Sequence, residues 1–273
     1  MAMTLGALHR YPVKSLRGES LTRTLVEPWG LEGDRRWMVV DDTGRAITAR
    51  EVNAMVLLRP EITASGLRLH APGRAEPRDV ALPDPAVQVP VSVWGSHLTA
   101  SPTDRDTALW VSEVLGVEAR LVWLDDPTRR PSDPTYSAIE DRVSFADGYP
   151  LLLASESSLA ALGDGALSME RFRPNVVISG AMAWAEDDWR LLRIGEATFR
   201  AVKGCARCVL TTVDPDTAER GKEPLATLAR MRRWDRKTWF GVNLVPDTPG
   251  ATIAVGDSVE VLEGVPSGDG PLR

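Results

Sequence analysis

The chain has little cysteine and little histidine: two of the former and three of the latter in 273 residues. Two cysteines cannot build a disulfide framework, and a bridge between Cys205 and Cys208 would close too short a loop to hold a fold together. His9, His70 and His97 form no H-x3-H pair and none lies near Cys205 in sequence, so a closed zinc site of Cys and His ligands finds no support. Long basic runs are missing and the formal net charge is -6, which argues against a nucleic-acid footprint. No apolar segment approaches the length of a membrane span. Met1-Ala2-Met3-Thr4-Leu5-Gly6 has no basic region leading into an apolar run, so no signal peptide is expected. With thiol usage that suits a reducing compartment, the cytoplasm is the expected location.

What remains is ordinary for a soluble globular protein, 43% hydrophobic and 26% charged, and long enough for one large core or two modest ones. The patterning is strand after strand with little helix. Leu5 to Val13, Leu21 to Val26 and Trp37 to Val40 are strand candidates, and Asp41-Asp42-Thr43-Gly44 is a turn. Val87 to Trp94 and Leu98 to Ala100 form a hairpin about Gly95-Ser96, with Pro90 restricting the first to a sheet edge. Further strands are expected at Asn175 to Ser179, Leu191 to Ile194, Thr198 to Val202, Val209 to Val213 and Thr252 to Leu262, the last broken at Gly256-Asp257.

Three short helices are expected. They are Thr103 to Leu115, Glu156 to Leu162 capped by Ser155, and Glu223 to Met231 with Pro224 in its first turn and Leu225, Leu228 and Ala229 on one side. No internal repeat is found. The pattern predicts a mainly β (α+β) protein: a β-barrel-like N-terminal part (1–126), a second β-rich part (127–263) entered through the Pro- and Arg-rich linker 127–134, and a flexible tail (264–273). Arg230, Arg232, Arg233, Arg236 and Lys237 read most simply as a solvated helix face and its exit, or else as a dock for an acidic partner.

The two cysteines stand in Lys203-Gly204-Cys205-Ala206-Arg207-Cys208, flanked by cations that favour a thiolate. A thioredoxin-like redox pair needs a helix after the motif, whereas Val-Leu-Thr-Thr-Val favours a strand. Cys205 is expected to be a packing residue. For Cys208, packing competes with a role as the single thiolate ligand of a metal cofactor that brings its own remaining ligands. Such a cofactor is large and anionic, and groups that could hold an anion recur along the chain. Lys14 and Ser15 sit on a turn after a strand. Of Arg35 and Arg36, only one can point inward if the strand alternates. Arg173 and Asn175 open another strand, and Asn243 lies in a Gly-marked one.

In order, Tyr-Pro-Val-Lys-Ser (11–15), Gly-Leu-Glu-Gly-Asp-Arg-Arg-Trp (30–37), Phe-Arg-Pro-Asn-Val-Val-Ile-Ser-Gly (172–180), Cys-Ala-Arg-Cys-Val-Leu-Thr-Thr-Val-Asp-Pro-Asp-Thr (205–217), Lys-Glu-Pro-Leu (222–225) and Val-Gly-Asp-Ser-Val (255–259) resemble the molybdenum cofactor sulfurase C-terminal (MOSC) domain proteins. Within them the resemblance is strongest to the amidoxime-reducing components. It spans about Leu5 to Leu262. It implies an N-terminal β-barrel-like region and a MOSC β-barrel with a molybdenum cofactor (Mo-molybdopterin) between them. It implies Cys208 as the metal ligand and catalytic residue. Lys14, Ser15, Arg35, Arg173, Asn175, Arg207 and Asn243 would hold the cofactor.

The implied activity is reduction of N-oxygenated small molecules with electrons from a separate ferredoxin- or cytochrome-like protein. The alternatives are a cofactor carrier or insertion protein and a sulfur-transfer protein with Cys208 as persulfide carrier. Ala206, Asn243 and Gly148-Tyr149 differ from eukaryotic members, which carry Ser, Tyr and a hydroxyl pair there; the differences bear on the substrate more than on the cofactor. Asp214 and Asp216 are candidate proton donors or a turn that ends a strand, the turn being favoured.

Overall fold

The computed structural model describes residues 2–163, 167–265 and 270–272. As expected, the protein is mainly β. A nine-stranded sheet runs Val259–Gly264, Trp189–Ile194, Ala197–Arg207, Lys237–Pro246, Leu151–Ser155, Val176–Ser179, Thr4–Arg10 and Glu19–Leu21, with Arg233–Trp234 beside Lys237–Pro246. A four-stranded sheet orders Trp37–Val40, Arg120–Trp123, Ser96–Pro102 and Val89–Val93. The strand containing Pro90 is at the edge of that sheet, where its missing N–H costs no ladder bond. Two three-stranded sheets complete the β structure: Thr252–Ala254, Arg23–Glu27 and Gly30–Leu31, and Arg59–Thr63, Gly66–His70 and Arg78–Ala81.

The first strand pairs on one edge with its sequence neighbour Glu19–Leu21 and on the other with a strand from far along the chain. Thr4–Arg10 pairs antiparallel with Val176–Ser179, and Arg23–Glu27 pairs with Thr252–Ala254, so the two ends of the chain are stitched together. One core gathers Leu5, Leu8, Ile178, Phe199 and Leu244, and a second gathers Val13, Leu16, Trp37, Val39 and Leu121. The turn carrying Lys14 and Ser15 therefore leaves the first core and is anchored in the second by Val13 and Leu16. That places it at the seam between the two.

Three helices follow the expected signals. α1 (Arg105–Leu115) is capped by Asp104, whose carboxylate accepts from the Thr107 amide, and ends at Gly116 in the left-handed region. α2 (Glu156–Ala160) is capped by Ser155. α3 (Leu225–Met231) has Pro224 at its N-cap, one position outside the expected first turn, and buries Thr227 and Leu228. Leu228 is buried and Leu225 packs against the same cluster, as expected, but Ala229 is exposed.

Four expectations are corrected. Val209–Thr212 is a 3-10 turn and not a strand. The Thr211 and Thr212 hydroxyls donate to the Cys208 and Val209 carbonyls at 2.9 and 2.8 Å, and these local bonds override the β preference of the side chains. Residues 127–134 are not a loose linker: Arg130 is 3% exposed and donates to the carbonyls of Ser144, Ala146 (2.6 Å) and Asp147 (2.7 Å), pinning the segment.

Arg232 is not on a solvated face. It is buried, paired with Asp187 and set between the Trp184 and Trp234 rings at 4.3 and 4.8 Å, while Arg230, Arg233, Arg236 and Lys237 stay exposed. In the tail, Gly264 still pairs with Trp189, Pro271 is buried, and the Leu272 carbonyl accepts from the Gly204 amide at 2.6 Å. Positions 266–269 and 273 of the expected flexible tail lie outside the described residues. Among the described residues no helix is long and apolar enough to cross a membrane.

Candidate functional site

One cleft at the seam is lined by all eight residues singled out in the sequence: Lys14, Ser15, Arg35, Arg173, Asn175, Arg207, Cys208 and Asn243. Its cavity volume is about 140 Å³. The residues arrive from the turn after the first strand, the entrance to Trp37–Val40, the entrance to Val176–Ser179, the end of Ala197–Arg207 and the middle of Lys237–Pro246.

Backbone strain sets three of them. Ser15, Arg35 and Arg173 occupy the left-handed region at φ 69, 46 and 56, unusual for residues with a β-carbon. The Arg35 guanidinium pairs with buried Asp34, donates to Asn175 Oδ1 at 2.8 Å, and lies 4.3 Å from the Tyr11 ring. Arg36 turns the other way, onto the carbonyls of Leu124 and Asp125, so only one of the two faces the cleft; both precede the strand Trp37–Val40, and the left-handed turn at Arg35, not strand alternation, separates them. The Arg173 guanidinium also lies 4.3 Å from the Tyr11 ring. Among the described residues it makes no hydrogen bond. Desolvation brings its pKa down to about 10. Tyr11 between the two cations is pushed up to about 12 by burial, against the pull of both guanidiniums.

Asn175 is fully buried and bonded on both ends of its amide. Oδ1 accepts from Arg35 and from the Leu152 amide at 3.2 Å, and Nδ2 donates to the His9 carbonyl at 3.2 Å. It holds Arg35 in place. Asn243 Nδ2 donates to the Lys203 and Gly204 carbonyls at 3.1 and 3.3 Å, beside register shifts in the Ala197–Arg207 pairing that re-aim the strand just before the cysteines.

The cysteine segment departs from expectation. Arg207 is the cationic neighbour of Cys205, its Nη1 donating to Cys205 Sγ at 2.8 Å, while Nη2 donates to the Phe172 carbonyl at 2.7 Å. Cys205 is half-buried in the cleft wall and is not simply core packing; burial pushes its thiol pKa up, the Arg207 charge pulling it down. The Cys208 thiol, also half-buried in the wall, makes no hydrogen bond among the described residues. Asp214 accepts the amides of Asp216 and Thr217 and pairs with Arg171, and Asp216 pairs with Arg17, so the Asp-Pro-Asp segment is a turn.

Four cleft residues carried no sequence signal: Arg50, Trp94, Asp147 and Arg171. Lys14 Nζ, 5% exposed, donates to the Phe145 carbonyl at 2.8 Å and to Asp147 Oδ1 at 2.6 Å. Desolvation lowers its pKa to about 8, Asp147 pulling the other way. The Asp147 side chain keeps 65% of its surface open because it faces the cleft, yet the cleft is deep enough for protein to desolvate it. That opposes its ionisation, but the Lys14 charge and hydrogen bond win and hold the carboxyl well below the usual range.

The electrostatic balance decides what the cleft suits. Lys14, Arg35, Arg50, Arg171, Arg173 and Arg207 face one carboxylate, Asp147, in a protein of net charge -6. A guanidinium without a hydrogen bond and the Ser15 hydroxyl, also without one among the described residues, add open donors. The arrangement fits an anion carrying several oxygens. No cluster of three His, Cys, Asp or Glu exists among the described residues, so a metal held at Cys208 would need ligands from elsewhere.

Sulfate, whose charge is constant across the range, is therefore expected to bind in the cleft at pH 7 and to weaken about tenfold by pH 9.5 as Lys14 deprotonates. Calorimetric titration of wild type and Lys14→Arg checks this: the variant should hold its affinity, and identical profiles would refute the assignment. The same shift has a stability consequence. Between about pH 8 and 10.5 the unfolded chain holds the proton and the folded chain does not, so this group's contribution to stability rises with pH across that window.

Comparison with known proteins agrees with this geometry. Residues 2–118 match the MOSC N-terminal beta barrel domain and residues 140–260 match the MOSC domain. The chain is 34% identical over 286 aligned positions to the human mitochondrial amidoxime-reducing component 1, covering 95% of this chain and 83% of that protein. It is 32% identical to the molybdenum cofactor sulfurase of Oryza sativa subsp. japonica, covering 86% of this chain but 31% of that longer protein. Among solved structures, the YUAD protein from Bacillus subtilis aligns with a TM-score of 0.41 and 10% identity over 95% of this chain and 94% of its own, a likeness too slight to bear on function. With both domains matched and this similarity along nearly the whole chain, the protein belongs to the MOSC-domain family.

Proposed function

We propose that the protein is a molybdenum-cofactor-dependent reductase of N-hydroxylated small molecules. The observation that carries this reading is the cleft itself, in which the Cys208 thiol, without a hydrogen bond among the described residues, shares the lining with six cations, of which the Arg173 guanidinium is likewise without one. A soft thiolate suits molybdenum, and guanidinium forks suit a phosphate and the polar edge of a pterin. The relatives named above point to the same cofactor and to N-oxygenated substrates.

When bound, the cofactor would supply the two-electron redox chemistry. The overall change is R–NHOH + 2 e⁻ + 2 H⁺ → R–NH₂ + H₂O, and for an amidoxime the same loss of oxygen gives the amidine. The electrons come from a separate electron-transfer protein. In this division of labour Cys208 Sγ would be the protein's ligand to the metal. Arg173, Arg207, Lys14 and the Ser15 hydroxyl neutralise and orient the anionic part. Asn175 keeps Arg35 aimed into the cleft, and Asn243 fixes the bulged strand so that the Cys205–Cys208 segment keeps its place. Six cations in a recessed cleft hold an anion without reorganising when charge shifts during reduction.

The test is production in a host that makes the cofactor, metal analysis, and assay of an amidoxime with a chemical reductant. Stoichiometric molybdenum with turnover supports the reading. Bound molybdenum without turnover on amidoximes, hydroxylamines or hydroxamic acids would replace it by a carrier function, and a persulfide on Cys208 without metal would replace it by sulfur transfer.

A further inference from the structure

Six cations line the cleft, and of its aromatic lining residues Trp94 is the one left exposed. Trp94 stands at the tip of the hairpin between Val89–Val93 and Ser96–Pro102, at φ 51 and followed by Gly95 at φ 152. A bulky side chain is rarely found in this backbone region. The ring is nevertheless held in place: Nε1 donates to Asp147 Oδ1 at 3.0 Å, the Arg50 guanidinium lies 4.3 Å from the ring centroid, and Lys14 Nζ lies 5.4 Å from it. With those contacts made, Trp94 is still 48% exposed. It borders two spaces at once, the cleft and a neighbouring cavity of about 370 Å³ whose wall includes Ala46, Ser92, Gly95 and His97.

We propose that Trp94 is a specificity-determining residue, the platform on which the aryl group of a neutral N-hydroxylated aryl substrate stacks. The aryl group extends past the indole into the neighbouring cavity, and the N–OH end stays on the Cys208 side of the cleft. Three features select this occupant. An indole already fixed by a hydrogen bond and a stacked guanidinium gives stacking area without ordering cost. Arg50 and Lys14 beside it repel a cationic substrate, while Asp147 and Glu51 are each paired with a cation, Asp147 with Lys14 and Glu51 with Arg45. A small aliphatic group would leave the exposed indole and the second cavity unused.

The proposal rests on the reductase reading and is tested so that the two can fail separately. The probes are benzamidoxime and acetamidoxime, both neutral and differing only in phenyl for methyl. They are compared on cofactor-loaded wild type, Trp94→Ala and Trp94→Phe, by steady-state kinetics and by the dissociation constant on the oxidised protein. Wild type should show a KM about tenfold lower for benzamidoxime. Trp94→Ala should erase that difference with kcat little changed. Trp94→Phe, which loses the bond to Asp147 but keeps a ring, should retain most of it.

A preference that survives in Trp94→Ala, or is absent from wild type, overturns the platform. If wild type turns over neither compound, the reductase reading fails. Trp94 is then judged on binding alone: tighter benzamidoxime binding that depends on the ring upholds the platform, and equal affinity in wild type and Trp94→Ala overturns it.

Discussion

Cys208→Ala is expected to lower turnover of N-hydroxylated compounds by more than about 100-fold, whereas Cys205→Ala should lower it by about tenfold. Groups that merely orient a metal's ligands cost 10- to 100-fold when removed, so loss of the ligand itself should exceed that range. The pairing of the two variants matters because the structure makes both thiols plausible. Cys205 has the cation, with Arg207 Nη1 at 2.8 Å from its sulfur, but burial still pushes its pKa up and its sulfur already has a protein partner. Cys208 is half-buried in the same wall and its sulfur is uncommitted. In Cys205→Ala the Arg207 fork loses one anchor and keeps the other on the Phe172 carbonyl, which predicts a partial defect. Kinetics and metal content, measured together on both variants, decide the matter. If Cys205→Ala is the inactive one, the ligand assignment is exchanged.

The parts of this site that were legible in the sequence are those whose local pattern has a reason of its own. Of Arg35 and Arg36 only one faces the cleft, although the left-handed turn at Arg35, and not strand alternation, decides which. Asp104, Ser155 and Gly116 mark helix ends because orphan backbone groups there need partners, and the helices begin and end at them. The β-rich character follows from short alternating runs between turns. What stayed hidden depends on the assembled chain.

Arg50, Trp94 and Asp147 are far apart in sequence and sit in unremarkable surroundings. Only the packing of the 89–102 hairpin against the 141–150 segment makes them neighbours of Lys14. Arg130 and Arg232 look like surface charges until carbonyl oxygens and Asp187 are folded around them. The β-branched residues after Cys208 favour a strand by propensity, and the local bonds of the two threonine hydroxyls to carbonyls three residues back, which make the segment a turn instead, compete with that preference. The Arg207–Cys205 contact was missed for a related reason: the bulges that aim these side chains lie in the pairing with Lys237–Pro246 and leave no trace in the motif itself.

Arg173→Met should separate function from stability most sharply. Its guanidinium makes no hydrogen bond among the described residues, is desolvated enough to bring its pKa down to about 10, and rests only on the Tyr11 ring. An uncompensated charge of this kind works against the folded state, and an apolar side chain of similar length relieves it. The stacking on Tyr11 is lost in exchange, worth about 0.5–2 kcal/mol. The variant's melting temperature should accordingly be unchanged or higher. The same position is a focus for the anionic ligand, where a charge-assisted hydrogen bond contributes about 1.5–3 kcal/mol, so sulfate affinity should fall about 10- to 100-fold and molybdenum content on purification should fall with it. Thermal unfolding, sulfate titration and metal analysis of one variant test both signs. A lower melting temperature with full metal content would show that Arg173 serves the fold and not the ligand. The opposite pattern would mark the strained turn at 173 as a place where stability is given up to keep a cation ready for its anion.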